Sequence, residues 1–204
     1  NSYFEDSIRR YNELKKKGIN FFDCGTSGGI SGARHGACMM IGGDKGIFKE
    51  IESLFRCMSV KEGYGYMGEA GAGHFIKMVH NGIEYGMMGA IGEGLEVIEK
   101  NKKKFNLDIK GVANVYAHGS IIEGKLVNWL LKAINDKEYF KSILGTVPQG
   151  ETEKEMEKLS DMSNMPILEE AIEMRKKTRK EPRFSGKIVS ALRNRFGGHK
   201  VERK

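Results

Sequence analysis

From residue 74 to about residue 100 the chain carries an unbroken helical pattern without proline. Phe75, Met78, Val79, Ile83, Met87, Ile91, Leu95 and Ile98 recur there in steps of three and four. That spacing lines side chains along a helix and predicts one long element. The helix is apolar on more than one face, so it belongs at the centre of a domain. Residues 63–73 before it are glycine-dense and mark a boundary. Further helical patterns follow at about 109–118, 121–135, 151–160, 166–179 and 185–196, with no β-rich stretch after residue 70. The last two thirds therefore read as all-helical.

The first ~65 residues read differently, as an α/β segment. An amphipathic helix is predicted over residues 2–17, carried by Phe4, Ile8, Tyr11 and Leu14 and stopped by Gly18. Residues 19–23 predict a short buried strand, residues 25–32 a glycine-rich loop, and residues 37–41 a second strand ended by Gly42-Gly43. Asp44 is placed to cap a helix running to about Cys57.

Hydrophobic residues make up 39% and charged residues 30%, which describes a soluble globular chain with a real core. The net charge of +7 is concentrated at residues 175–183 and 193–204. No aromatic-interleaved basic motif or zinc-finger spacing accompanies it, so a phosphorylated or carboxylated metabolite is the expected anion and no nucleic-acid partner is expected. Cys24, Cys38 and Cys57 lack CxxC spacing and read as buried thiols of a reducing, cytoplasmic compartment. No apolar run has membrane-spanning length, and no metal site is indicated.

Lys77, His80, Asn81 and Glu84 stand at i, i+3, i+4 and i+7 of the long helix, on one face. One reading is a solvated stripe with a satisfied histidine. The other is a functional site, favoured by the apolar character of the helix and the glycines before it. Gly86 and Gly89 read as places where another helix packs closely, and Gly82 as room for a ligand.

Residues 74–86, with their His80-Asn81-Gly82-Ile83-Glu84-Tyr85 run, resemble the signature of the decarboxylating 6-phosphogluconate dehydrogenases. Asp23-Cys24-Gly25-Thr26-Ser27-Gly28-Gly29 through Gly43 resembles the family's Ser-Gly-Gly loop and following strand. Phe184-Ser185-Gly186-Lys187 through Arg193-Asn194-Arg195-Phe196-Gly197-Gly198-His199 resembles its C-terminal segment. The likeness is nearest to the short bacterial and archaeal branch and covers almost the whole chain, weakest at 140–165. The wider β-hydroxyacid dehydrogenase superfamily shares only the loop, the Gly-x-Gly and the Lys–Asn pair.

The resemblance implies an α/β remnant of a Rossmann-type domain over residues 1–67 and an all-helical substrate-binding and dimerisation domain over 68–204. It implies oxidation and decarboxylation of 6-phosphogluconate to ribulose 5-phosphate with NAD or NADP. Lys77 would be the general base at the C3 hydroxyl, and Glu84 the acid that protonates C1 after carbon dioxide leaves. A base must be neutral, so Lys77 would need a lowered pKa. Ser27, Gly28, Gly29, His80 and Asn81 would hold the sugar acid, and Asn81 also the nicotinamide. Tyr85, Arg175, Arg193 and His199 would contact the substrate, chiefly its phosphate. The family draws its counterparts of Arg193 and His199 from the neighbouring subunit, which implies a homodimer.

Two departures stand out. The Gly-x-Gly-x-x-Gly turn that binds pyrophosphate has no match among these residues, and the remnant is read as a parallel sheet lacking its first strands. The chain alone is therefore expected to bind NAD(P) poorly and to lack dehydrogenase activity. Near residues 150–154 the family carries Gly-x-Gly-(Lys/Arg)-Trp-Thr, whereas Glu153 stands near the basic position and no Trp is present. The rival readings are another β-hydroxyacid dehydrogenase and a non-catalytic helical dimerisation or sugar-phosphate-binding module.

Overall fold

The computed structural model describes residues 2–204 and divides into two compact units. The first comprises residues up to Gly82 together with Lys154–Leu159, and the second comprises Ile83–Glu153 and Ser160–Lys204.

The first unit opens with α1 (Phe4–Lys15), ended near Gly18 at a φ of 71°. Strand β1 (Asp23–Ser27), helix α2 (Gly29–His35), strand β2 (Ala37–Gly42), helix α3 (Lys45–Met58) and strand β3 (Ser59–Gly68) follow. Asp44 caps α3 as expected, its Oδ1 accepting from Gly46 N at 2.8 Å and Ile47 N at 3.0 Å. Ile41, Phe48 and Phe55 form the core, with Phe22, Met39, Ile51, Tyr64 and Tyr66 around them.

The sheet corrects the expectation of a parallel remnant. Its order is β1-β2-β3, with β1 and β2 antiparallel and β2 and β3 parallel. Residues 28–36 are too few for a parallel crossover, whereas residues 43–58 carry α3 and return the chain for one. The first strand also lies four residues later than expected. Gly25 explains this, because a Cβ there would stand 2.5 Å from both Gly73 O and Lys77 Cβ. Residues read as loop glycines are thus the places where strand and helix touch. The cysteines differ too: Cys38 and Cys57 are exposed and Cys24 is half-buried.

Helix α4 (Ala72–Phe105) is the long element expected, 34 residues without a break. Asp23, 1% exposed, caps its start: Oδ1 accepts from Gly71 N at 2.6 Å and Oδ2 from His74 N at 2.7 Å.

The second unit holds the rest of α4 with α5 (Ile109–Tyr116), α6 (Lys125–Asn135), α7 (Lys137–Ser142), α9 (Pro166–Lys180) and α10 (Phe184–Gly197). Helix α8 (Glu153–Met162) belongs partly to each unit. Met88, Leu95, Ile109, Ala113, Leu130, Ile134, Val147, Ile188, Val189 and Leu192 make its core. Gly86 and Gly89 admit α9, as their spacing suggested. A Cβ at Gly86 would stand 2.9 Å from Ile167 Cγ2, and one at Gly89 would touch Met174 and Ala171. Among the described residues no helix is long and apolar enough to cross a membrane.

Candidate active site

Two side-chain clusters hold the residues singled out above, one in each unit.

In the first unit, Gly73 sits where a Cβ would collide with Met40 O and Asp23 O, so α4 lies directly on the sheet. This contact places Lys77, 8% exposed, beside Gly25 in the middle of β1. Lys77 Nζ is 3.2 Å from His80 Nδ1, and His80 Nε2 is 3.2 Å from Ser27 Oγ. The two ring nitrogens of His80 thus join the Lys77 amine to the Ser27 hydroxyl, with the direction of each hydrogen bond set by the imidazole tautomer. Asn81, 7% exposed, brings Oδ1 to 3.3 Å from the same Nδ1. Gly28 and Gly29 turn the chain after Ser27 with φ of 115° and 59°, a conformation that L side chains resist. Ser27, Gly28, Gly29, Lys77, His80 and Asn81 are therefore gathered in one place. Amine, imidazole and hydroxyl thus stand in one hydrogen-bonded chain.

Glu84 and Tyr85 follow on the same helix, at the start of the second unit. Here the cluster is made of charge. Arg175, 2% exposed, lies over the Tyr85 ring with its guanidinium carbon 3.2 Å from the centroid. Its Nε and Nη2 are buried and have no hydrogen-bond partner. Burial pulls the guanidinium pKa down to about 10, with Tyr85, Arg193, Glu84 and Glu153 contributing to its field. It stays charged at neutral pH. Arg193, 6% exposed, donates Nη1 to Pro148 O at 2.8 Å, and burial lowers its pKa too. Tyr85 Oη meets Thr152 Oγ1 at 3.2 Å. Partial burial and then Arg193 hold the His199 imidazole below its ordinary pKa.

Within this chain Arg193 is buried, near Arg175. The reason is that α10 is a core helix, buried from Ser185 to Arg193 on most positions. The chain beyond it turns at Gly198, with a φ of 69°, and folds back. Asn194 Nδ2 donates to His199 O at 2.8 Å, Leu144 N to Glu202 O at 2.9 Å, and Arg203 bridges to Ile143.

Sequence reasoning missed Thr152, Arg179 and the structural part of Glu153. Arg179 Nη1 binds Glu153 Oε1 at 3.0 Å and its Nη2 binds Oε2, while Glu153 is 3% exposed. Arg179 lies in the basic run 175–180, where nothing distinguishes it from its neighbours.

Comparison with known proteins matches residues 1–68 to the NAD binding domain of 6-phosphogluconate dehydrogenase and residues 73–103 to the 6-phosphogluconate dehydrogenase C-terminal domain. A Bacillus subtilis protein named "Putative 6-phosphogluconate dehydrogenase YqeC" is 47% identical over 206 residues, which span all of this chain and 69% of the relative. The NAD(+)-dependent, decarboxylating 6-phosphogluconate dehydrogenase of Haloferax volcanii is 36% identical over 214 residues, spanning all of this chain and 68% of that protein. Among solved structures, the Plasmodium falciparum 6-phosphogluconate dehydrogenase superposes with a TM-score of 0.69 at 25% identity, covering 88% of this chain and 42% of that one. The Salmonella typhimurium 3-hydroxyisobutyrate dehydrogenase shares the fold, with a TM-score of 0.69 at 14% identity over 91% of this chain and 65% of its own. The domain family matched by residues 1–68 binds NAD, and the Plasmodium falciparum enzyme has been solved with NADP+. With relatives at this identity over its full length, the chain belongs to the 6-phosphogluconate dehydrogenase family.

Proposed function

We propose that this chain supplies the substrate-handling and acid–base side chains for the NAD- or NADP-dependent oxidative decarboxylation of 6-phosphogluconate to ribulose 5-phosphate. The observation that carries the reading is Arg175. A buried guanidinium with two unsatisfied N–H donors, stacked on Tyr85 and beside a second buried arginine, costs stability unless it serves an anion. A phosphate monoester offers the charge and the several acceptors that two guanidinium forks require.

Lys77 takes the proton of the C3 hydroxyl as hydride departs from C3. His80 and Ser27 orient its amine through the imidazole and relay charge away from it. The resulting 3-keto acid loses its carboxylate as carbon dioxide, and Glu84 protonates the enediol at C1. The nicotinamide, when bound, supplies the hydride acceptor. The residues here fit its carboxamide end: hydroxyl, imidazole and amide groups beside the Gly28-Gly29 turn, with Asn81 as the direct contact. They do not form a pyrophosphate-binding turn, so the chain by itself is proposed to be inactive as a dehydrogenase.

The division at residues 67 and 68 into nucleotide-domain portion and helical domain is part of this proposal, as is a cytoplasmic setting for the three free thiols. So is a homodimer. Ile83, Met87 and Ile167, 58%, 52% and 75% exposed, form an apolar surface around Gly86 that a second copy would cover.

The test is a fusion of this chain to the N-terminal segment of the Bacillus subtilis relative, assayed with 6-phosphogluconate. The reading predicts one carbon dioxide released per cofactor reduced. Cofactor reduction without carbon dioxide, or none with this substrate, refutes it.

A further inference from the structure

Three arginines meet in the helical unit, and they are not equivalent. Arg175 and Arg179 stand one turn apart on α9, and Arg193 comes from α10. Arg179 is engaged through all three nitrogens: Nε donates to Val147 O at 3.2 Å, and both terminal nitrogens bind the two oxygens of Glu153. Arg175 instead keeps two buried donors without a partner, and Arg193 gives Nη1 to a neutral carbonyl.

A buried carboxylate close to such groups should bind them, since bidentate charge-assisted pairing is the strongest hydrogen bonding available to either side. Glu153 is close. The segment leading to it runs past both arginines: a Cβ on Gly150 would stand 2.8 Å from Arg193 Nη2. Thr152, the residue before Glu153, touches the Oη of the tyrosine on which Arg175 lies. Glu153 also contributes to the field at both guanidinium groups. Nevertheless its oxygens are held by Arg179.

We propose that Arg179 is a positioning residue that holds Glu153 away from Arg175 and Arg193, and so keeps both guanidinium groups open to the substrate's phosphate. The identity of that anion rests on the sugar-phosphate reading above. Without Arg179, the Glu153 carboxylate turns to Arg193 or Arg175 and acts as an internal competitor for the phosphate. The pair is thus a specificity device: one charge of three is neutralised within the protein, and the remaining two face a dianion.

A purely structural role predicts something else. If the pair only anchors residues 147–153, removing both partners harms binding at least as much as removing one. If Arg179 restrains a competitor, removing the competitor as well restores binding. The experiment is calorimetric titration of the chain with 6-phosphogluconate and, separately, inorganic phosphate, using the wild type, Arg179→Gln, Glu153→Gln and the double variant. Circular dichroism melting of each checks the fold. Arg179→Gln is expected to bind at least about tenfold more weakly, and the double variant to return to within about threefold of wild type. Glu153→Gln alone is expected to bind a few-fold more tightly, because a negative charge near the dianion is gone.

A folded Arg179→Gln that keeps wild-type affinity, or a double variant as weak as the single one, overturns the proposal. Should Arg179→Gln fail to fold, Glu153→Gln decides: tighter binding supports the competitor role and weaker binding overturns it. A wild-type chain that binds neither probe removes the sugar-phosphate reading itself, and the proposal with it. Wild-type binding with the wrong order among variants removes only the role of Arg179.

Discussion

The Lys77 cluster of the α/β unit and the Arg175 cluster of the helical unit treat buried charge in opposite ways. Lys77 is met within its own turn of helix by His80, which is met in turn by Ser27. Arg175 is stacked on an aromatic face, crowded by a second arginine, and left with unsatisfied donors. The first arrangement suits a group that must pass a proton and recover. The second suits a group that must attract a charged ligand and does no chemistry. Glycine separates them too. The first cluster depends on Gly25 and Gly73, which let strand and helix touch, whereas the second is built from long side chains on well-packed helices.

The sharpest way to break this contrast is to remove the base. In the fusion described above, Lys77→Met is expected to cut cofactor reduction by about 10²–10⁴-fold, the usual worth of general acid–base help, with substrate affinity largely kept. Glu84→Gln should leave cofactor reduction measurable and slow the formation of ribulose 5-phosphate. Near-wild-type turnover in both variants would contradict the two roles.

Arg175→Met should act in the other direction on stability. Affinity for 6-phosphogluconate should fall by about 100-fold, roughly 2.7 kcal/mol, while the melting temperature rises because an unpaired buried charge is gone. A variant that both binds and melts like wild type would show that the guanidinium serves neither purpose.

Gly25→Ala tests the glycine contact. Its methyl would collide with backbone and with the Lys77 side chain, and overpacking of this kind costs about 1–3 kcal/mol. Denaturant unfolding should show the loss, and activity in the fusion should fall as Lys77 is displaced. The same change at Gly94, where a Cβ meets nothing within 4 Å, should be harmless or stabilising.

The smallest effect concerns Glu96 in the helical unit. Burial raises its pKa, but Lys100 and the start of α10 at Ser185 outweigh this and bring it to about 2 from 4.5. A depressed carboxylate contributes stability that is present above its unfolded pKa and lost as pH falls through the folded value. The window is therefore about pH 4.5 down to 2, and Glu96→Gln should flatten the acid limb there by about 1 kcal/mol, allowing for solvent screening. An unchanged acid limb would show that the Ser185 contact is not worth that much.

The same contrast explains what the sequence made legible. The helical unit announced itself, because its apolar residues keep a 3.6-residue period and its helices are long. Only the six-residue α7 escaped notice. The α/β unit was harder. Helix α2 begins in glycines that read as loop, and β3 contains Gly63 and Gly65 within a stretch taken for a boundary. A signal was present there, since Gly63-Tyr64-Gly65-Tyr66 alternates with the period of a strand. In the candidate site, the Lys77–Glu84 stripe followed from spacing on one helix. The Glu153–Arg179 pair did not, because its members lie 26 residues apart and Arg179 stands among like charges.

The account rests above all on Arg175 and Arg193 forming a phosphate site. The most direct measurement is calorimetric titration of this chain with 6-phosphogluconate and, in parallel, with gluconate. The two ligands differ by the phosphate alone. The unpaired donors of Arg175, beside the second buried guanidinium of Arg193, should make 6-phosphogluconate bind at least about 100-fold more tightly, with an affinity that falls as salt is added. Equal affinity for the two acids, or no binding of either, would contradict the account.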